Sequence, residues 1–535
     1  MDVTRANFEV VFPHIKRLLE DAEFSSIDFE MSGIRTAEDT NDIEKSAAEA
    51  FPEKSKAAQR YTLVQFGLCI FTKKPMPADA PANAPQQYVA HPFNFFVFPG
   101  DKSEDIVINV DTAAFLAKHN MDFSKWITEG VPYLKRTKAV EMRDKLARKQ
   151  GSPSPSGAAA EDDDDGDEPV PAPTPEKKGG KPWDQSFLAK LDKLDSAAFT
   201  NAMADAARFA ERSKAAEESN GLIPDPHPQL IPAFRHKDSI GLFGHFLSSL
   251  GLIKTSKRTP KGPAYYMSSA AARDRRELDE LERTIGATRV IEALSAVKKP
   301  IVVHNGLMDL LFMHHCFDGE PVGDLQHFKG LIRKRFPYVF DTRFLVTHPK
   351  VPFDAKMVQN LEGQYSAFHA TYGQSYSVEL PLGFEGYTAA VLANSSRAHE
   401  AAYDALITGR LLLYMAKLLG DGTLGSLIEG KFVNKVPVYC CLETVQLSAD
   451  TDTIDHDGPV LCVTFPRNVG MSSSKLDEML KSNDLRGRVL WNGDRAFVFS
   501  PASSRGTLFD KSVGQALGNL RKATNNKGGI TVLRP

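Results

Sequence analysis

Cysteine is scarce in this chain. Five occur in 535 residues, at positions 69, 316, 440, 441 and 462, and no Cys-x-x-Cys pair is among them. An odd, scattered set argues against a disulfide scaffold and against a zinc framework, and fits a reducing compartment. No run of about 18 apolar residues occurs, and the N-terminus has no apolar leader-like stretch, so neither a membrane span nor an export signal is expected. These absences set an expectation of an intracellular protein, in cytoplasm or nucleus, with no membrane partner. Net charge is nearly balanced at −3. The balance is uneven along the chain, because Glu161–Glu168 (EDDDDGDE) is strongly acidic and the remainder is net positive. Basic clusters stand at Lys254, Lys257, Arg258 and Lys261, and again at Lys511, Arg521, Lys522, Lys527 and Arg534. Such clusters suit a solvated surface as well as a nucleic-acid contact.

The chain is too long for one hydrophobic core, so several domains are expected. Apolar residues recur at helical spacing over 4–20 (Phe8, Val11, Phe12, Ile15, Leu18, Leu19), and strand-like runs follow at Phe24–Glu30, Tyr61–Phe71 and Phe93–Phe98. Residues 36–60 read as a polar stretch. Ser, Pro, Ala, Gly and Asp dominate 150–182, a composition that cannot bury enough apolar surface to offset ordering entropy, and 147–183 is therefore read as a linker. A separate, mostly helical segment is expected over 184–265. One long charged helix (Ala270–Ser295) should lead into the strand Pro300–His304, with helices near 306–316, 323–335 and 397–420. From 436 the pattern changes to short strands around a helix at 473–482, an order compatible with a small RNA-recognition-type domain. Residues 501–535 read as a basic tail.

Three acidic signals carry the chemistry. In Ser26-Ile27-Asp28-Phe29-Glu30, strand alternation points Asp28 and Glu30 to one face, with about 7 Å along the backbone between them. Both carboxylates could reach one or two hard cations. Alone, Asp-x-Glu also fits a polar strand end. In the run Pro300–Asp309 a buried strand enters a turn, and Asp309 falls on the first turn of the next helix. A helix-dipole acid accounts for that position equally well, though not for His304-Asn305 at the strand end. The third signal is His399-Glu400-Ala401-Ala402-Tyr403-Asp404. Five residues along a helix separate side chains by about 140°, so His399 and Asp404 converge only if His399 precedes the helix.

Together, Asp28-x-Glu30, then Asp309, then His399-x-x-x-x-Asp404 resembles the DEDD superfamily of 3′-exonucleases, in its histidine-bearing subgroup. The flanking text resembles the poly(A)-specific ribonucleases of that superfamily: Asp28-Phe29-Glu30-Met31-Ser32-Gly33-Ile34, Gln65-Phe66-Gly67-Leu68-Cys69, Phe93–Pro99, Gly130–Leu134, Phe340-Asp341-Thr342 and His399–Ala405. The resemblance covers about residues 5–146 and 270–500. It implies an α/β fold, an RNase H-like mixed-sheet nuclease core in two halves (1–146 and 266–430). A helical nucleic-acid-binding-type insertion (184–265) splits the core, and a small α+β RNA-recognition-like domain (431–500) follows. The inserted domain of the family is named for an Arg-x-x-x-His motif, which is absent from 184–265.

The resemblance further implies a 3′→5′ exoribonuclease that shortens poly(A) tails and releases 5′-AMP. Asp28, Glu30, Asp309 and Asp404 would hold two Mg2+ ions, with Mn2+ able to substitute. His399 would take the proton from the attacking water. His304 and Asn305 would support the second motif. Ile34 and Arg343 fall at substrate-lining positions, where some relatives carry Lys in place of Arg343. Met31 replaces an aromatic. Trp491 matches the tryptophan that stacks on the 5′ cap. Single-stranded RNA with a 3′ poly(A) tail, the cap and a second copy of the chain are the partners implied. Two other readings remain at this point: an enzyme that trims other RNA 3′ ends, such as small-RNA or tRNA precursors, and a catalytically quiet RNA-binding homologue.

Overall fold

The structure is a computed structural model. It describes residues 1–37, 39, 45–75, 85–151, 193–219, 227–234, 237–259, 262–348, 350–352, 360–388, 391, 397–439, 441, 443–452, 458–466, 471–485, 487–492, 495–500 and 506–534. They form two compact units, Met1–Ala139 with Thr284–Pro535, and Val140–Arg283. The acidic run and nearly all of the expected linker lie outside the described residues.

The first unit is built on an eight-stranded mixed sheet. Its strands are β1 (Asp2–Val3), β2 (Phe24–Met31), β3 (Leu63–Lys73), β4 (Gln86–Pro99), β5 (Val131–Tyr133), β6 (Ile301–Val303), β7 (Val339–Asp341) and β8 (Tyr376–Glu379). β2, β3 and β4 form an antiparallel meander. β6 joins β2 in parallel, and β7 follows β6. The other edge of β4 is shared by three short parallel strands: β8 at Gln86–Val89, β1 at Asn94–Phe95 and β5 at Val97–Pro99.

Strand period decides which face each residue joins. Ile27, Phe29, Phe66 and Phe95 pack on one face with helices α1 (Phe8–Asp21) and α2 (Ala47–Arg60). Phe29, Phe66 and Phe95 form a stacked ladder across three strands, with centroids 4.8 and 5.1 Å apart, each contact contributing about 1 kcal/mol beyond its buried area. Phe24, Phe71, Val302 and Phe340 face the other way, toward a second core. After β4, helix α3 (Val110–Lys118) follows; α4 (Leu307–Met313) lies between β6 and β7, and α5 (Ala401–Leu419) runs across the second face. α5 is buried on nearly every side, which explains its near-continuous apolar sequence.

Several expectations are corrected. The polar stretch 36–60 contains α2, started by a capping box in which Ser46 accepts from the Glu49 amide. Its buried positions are mainly alanines and Phe51, which blunts the periodic signal. The long helix at 270–295 is two, Ala270–Ile285 and Thr288–Ala296, parted at Gly286 with φ +49°.

In the C-terminal part of this unit, β9 (Val460–Thr464), α6 (Ser473–Lys481), β10 (Arg488–Asn492), β11 (Arg495–Phe499), α7 (Thr507–Ala523) and β12 (Gly529–Arg534) alternate as β-α-β-β-α-β. The sheet order is β10-β11-β9-β12, the ferredoxin-like pattern. Residues 506–534 are therefore no tail. Phe509, Ala516 and Leu520 on α7 are buried, and β12 pairs with the central strand β9. Their surface charges masked this in the sequence.

The second unit holds helices Lys193–Glu218 and Lys237–Ser249. It also holds an antiparallel sheet of Gln229–Leu230, Leu252–Thr259 and Gly262–Ser269, which the helical reading missed. Among the described residues, no helix is long and apolar enough to cross a membrane.

Candidate active site

The site grows from β2. Ser26, Asp28 and Glu30 alternate away from the Ile27/Phe29 core and face the side on which α5 lies. Ser26 anchors that helix, its Oγ donating to the Ala405 carbonyl at 2.6 Å. Gly67, paired across from Asp28, lets α5 come closer than any other residue would. A Cβ at Gly67 would stand 2.0 Å from the Ala401 carbonyl oxygen. The amide of Ala401 reaches Gln65 Oε1 at 3.4 Å, beside Glu30 on the neighbouring strand. This close approach carries Asp404, on the first turn of α5, up to the two strand carboxylates.

Asp309 arrives from the other side. β6 pairs with β2 only at Ser25 and Ser26, and the Phe29 amide beyond donates to Asp309 Oδ1 at 3.1 Å. The turn before Asp309 is fixed by buried Asp341. Its carboxylate accepts from the amides of Asn305 (3.1 Å), Gly306 (2.9 Å), Arg343 (2.8 Å) and Phe344 (3.3 Å). Asn305 holds a left-handed φ of +56°, which Asn tolerates better than most residues. The His304 ring meets Thr342 Oγ1 at 2.9 Å. His304 and Asn305, read in the sequence as support for the second motif, both lie in this turn. Asp341 itself was seen only as part of a motif; an Asp opening a short helix is the signal that could have marked it.

His399 lies in the turn before α5, not on it, with φ +66°. Its amide donates to Asp404 Oδ2 at 3.2 Å. The ligand atoms of Glu30, His399 and Asp404 lie within 4.8 Å of one another. The His399 ring is flanked edge-on by Phe115 and His119, at 4.6 and 4.4 Å between centroids. These two neighbours, on and just after α3, gave no sequence signal.

Four carboxyls thus share one partly desolvated spot, and their acidities record it. Burial pushes Asp28 well above the carboxylate range, and repulsion from Asp309, Asp404 and Glu30 adds to it. Glu30 is raised likewise by burial, then by Asp404 and Asp309. Asp309 and Asp404 are each pushed up to about 7 by burial, against the amide bonds from Phe29 and His399 that favour the charged forms. Such a cluster cannot hold all its charge without nearby cations. Oxygen donors in this number suit hard divalent ions such as Mg2+ or Mn2+. His399 is shifted the other way, kept neutral by burial and by His119.

Known proteins similar to this chain fall in one family. The family described as CAF1 family ribonuclease matches residues 3–412. The chain belongs to the CAF1 ribonuclease family. A curated relative, the poly(A)-specific ribonuclease PARN of Xenopus laevis, is 26% identical over 491 residues, covering 87% of this chain and 72% of its own length. The pre-piRNA 3′-exonuclease trimmer of Bombyx mori is 25% identical over 422 residues, covering 76% of this chain and 70% of its own. Among solved structures, S. pombe Pop2p in its Mg2+- and Mn2+-bound form aligns over 82% of this chain and 98% of its own, at 12% identity and a TM-score of 0.33.

In this CAF1 family ribonuclease the remaining sequence candidates fall outside the carboxylate cluster. Ile34 is 46% exposed and lines a cleft beside the end of β2. Arg343 sits half-buried just after Asp341, and its amide shares Asp341 Oδ1 with the amide of Asn305. Trp491 lies on β10 of the C-terminal sheet, and its side chain is outside the described residues.

Proposed function

We propose that this chain is a divalent-metal-dependent 3′→5′ exoribonuclease that shortens poly(A) tails and releases 5′-AMP. The observation that supports it most is the convergence of Asp28, Glu30, Asp309 and Asp404 on one desolvated spot with His399 at its rim. A set of four carboxylates suits a pair of Mg2+ ions, which when bound supply positive charge for the developing phosphate charge. Asp28 and Glu30 would hold such ions from the strand side, Asp404 from α5 and Asp309 from α4. Phe29 and His399 backbone amides aim the last two carboxylates. His399 takes the proton from the attacking water; its lowered basicity keeps the ring unprotonated near neutral pH and ready to accept. The ring contacts to Phe115 and His119 hold it at the rim. Ile34 and Arg343 contact the 3′-terminal nucleotides. The C-terminal β-α-β-β-α-β sheet serves as an RNA-recognition-type module, with Trp491 contacting the cap, and the chain pairs with a second copy.

The test is incubation of the purified chain with 5′-labelled RNA ending in oligo(A) or oligo(U), in Mg2+ or EDTA. Stepwise shortening of the A-tail, lost in EDTA and in Asp28→Ala, is the expected result. Equal trimming of both tails removes the poly(A) preference. It favours instead the reading, supported by the similarity to the Bombyx mori trimmer, of an enzyme for other RNA 3′ ends.

A further inference from the structure

The cleft beside β2 has a construction of its own. It encloses about 780 Å3, and its walls come from Ile34–Ala37, the end of α2 with Tyr61, and the first turn of α3 with Asn109. Ser32 ties these three walls together. Its amide donates to the Thr62 carbonyl (2.8 Å), its Oγ accepts from the Thr62 amide (3.0 Å) and donates to the Val107 carbonyl (2.6 Å), and its carbonyl accepts from the Asn109 amide (2.8 Å). Gly33 permits the closure, because a Cβ there would lie 2.6 Å from the Tyr61 ring. Among the described residues the lining is cationic: Arg35, Lys56 and Arg60 face it with the acid Asp111. All four are exposed. Two of the cations lie over rings, Arg35 over Tyr439 at 5.2 Å and Arg60 over Tyr61 at 5.9 Å.

The cleft is also aimed. α3 starts in its wall and ends at the ring pair that touches His399. From Asn109 to His119 is ten residues of largely helical chain, so the cleft lies on the order of 15 Å from the catalytic histidine. Ile34, on the cleft wall, is only four residues beyond Glu30. A strand of RNA whose 3′ end sits at the carboxylates can therefore run its upstream phosphates through this cleft.

We propose that this cleft, through Arg35, Lys56 and Arg60, grips the phosphates of nucleotides a few steps upstream of the one being removed. The proposal rests on the nuclease reading above for the direction of the RNA. Phosphate contacts position a strand without reading its bases, so the cleft sets grip and not adenine preference. Part of its lining, Thr36, Ala37, Lys56 and Arg60, falls within 36–60, where the sequence resemblance to the poly(A)-specific ribonucleases is weakest.

The experiment is fluorescence anisotropy in EDTA, where nothing is cleaved. The probe is fluorescein-labelled oligo(A) or oligo(U) of about a dozen nucleotides, a length within ordinary single-strand site sizes. The full chain is compared with the Arg35→Gln/Arg60→Gln double variant across a salt series. Loss of two phosphate contacts is expected to flatten the slope of log affinity against log salt by about 1.4 and to weaken binding about tenfold at low salt. Both RNAs should lose alike. Asp111→Asn is expected to tighten binding several-fold, a gain that misfolding cannot mimic. In Mg2+, the double variant should raise KM for the long oligonucleotide and leave dinucleotide turnover unchanged. Unchanged slope and affinity in the double variant, or no gain with Asp111→Asn, would overturn the cleft assignment. Because binding is read without cleavage, a wild-type chain that binds RNA but never shortens it in Mg2+ sinks the nuclease reading alone.

Discussion

Replacing Asp404 by Asn should make the metal-free protein more stable, not less. Asp404 is pushed from its ordinary 3.8 up to about 7, chiefly by burial. Its folded-state pKa thus lies above the unfolded value. The stability attached to it is whole below pH 3.8 and drains as pH rises, with the loss complete above about pH 7. A shift of roughly three units corresponds to about 4 kcal/mol. Asn removes the charged form, and its amide oxygen can still accept the His399 amide that Asp404 Oδ2 accepts now. In EDTA at about pH 8, Asp404→Asn should therefore melt several degrees above the wild type, and the two should converge near pH 4. Saturating Mg2+ should reverse the order. At a thousandfold its Kd a bound ion stabilises the native state by about 4 kcal/mol, and the variant, short of one ligand, gains much less. Thermal melts from about pH 4 to 8, in EDTA and in Mg2+, read all of this. A metal-free variant that melts below wild type at high pH, or an equal Mg2+ effect on both, refutes the idea that this charge cluster is built for cations.

Gly67→Ala should cost on the order of 3 kcal/mol, because its Cβ meets the Ala401 carbonyl; activity should fall with it, as α5 and Asp404 are pushed off the strand. Paired urea titration and turnover measurements check this. His399→Gln should lower kcat by roughly 10²- to 10⁴-fold while oligo(A) affinity in EDTA stays unchanged. Asp341→Ala leaves four backbone amides without their acceptor, at about 1–3 kcal/mol for each that stays unsatisfied. It should unfold the nuclease unit at lower urea, with Asp341→Asn intermediate.

The sequence revealed what obeys a short period. Two-residue alternation puts Asp28 and Glu30 on one face, and a strand running into a helix puts Asp309 at the turn. The 140° argument already required His399 to precede its helix, where the structure has it. What stayed hidden depends on distant partners. Gly67 reads as any strand glycine until the carbonyl of Ala401, more than 300 residues away, lies against it. Phe115 and His119 are unremarkable on an amphipathic helix until His399 lies beside them. Helix α2 had a readable capping box at Ser46 and Glu49, but its alanine-rich buried face looked polar. The last 30 residues looked like a tail because their charge is on the surface and their strand needs β9 to complete it.

The crowded edge of β4 has a consequence for the birth of this protein on the ribosome. β1 precedes β4 and can dock as soon as the meander forms, and β5 arrives soon after, but β8 follows only at Tyr376–Glu379. At ordinary elongation rates that leaves Gln86–Val89 as a raw, sticky margin for on the order of half a minute. Unpaired strand margins invite aggregation, so a nascent chain of this kind needs a holding chaperone most while the long middle of the polypeptide is still being made.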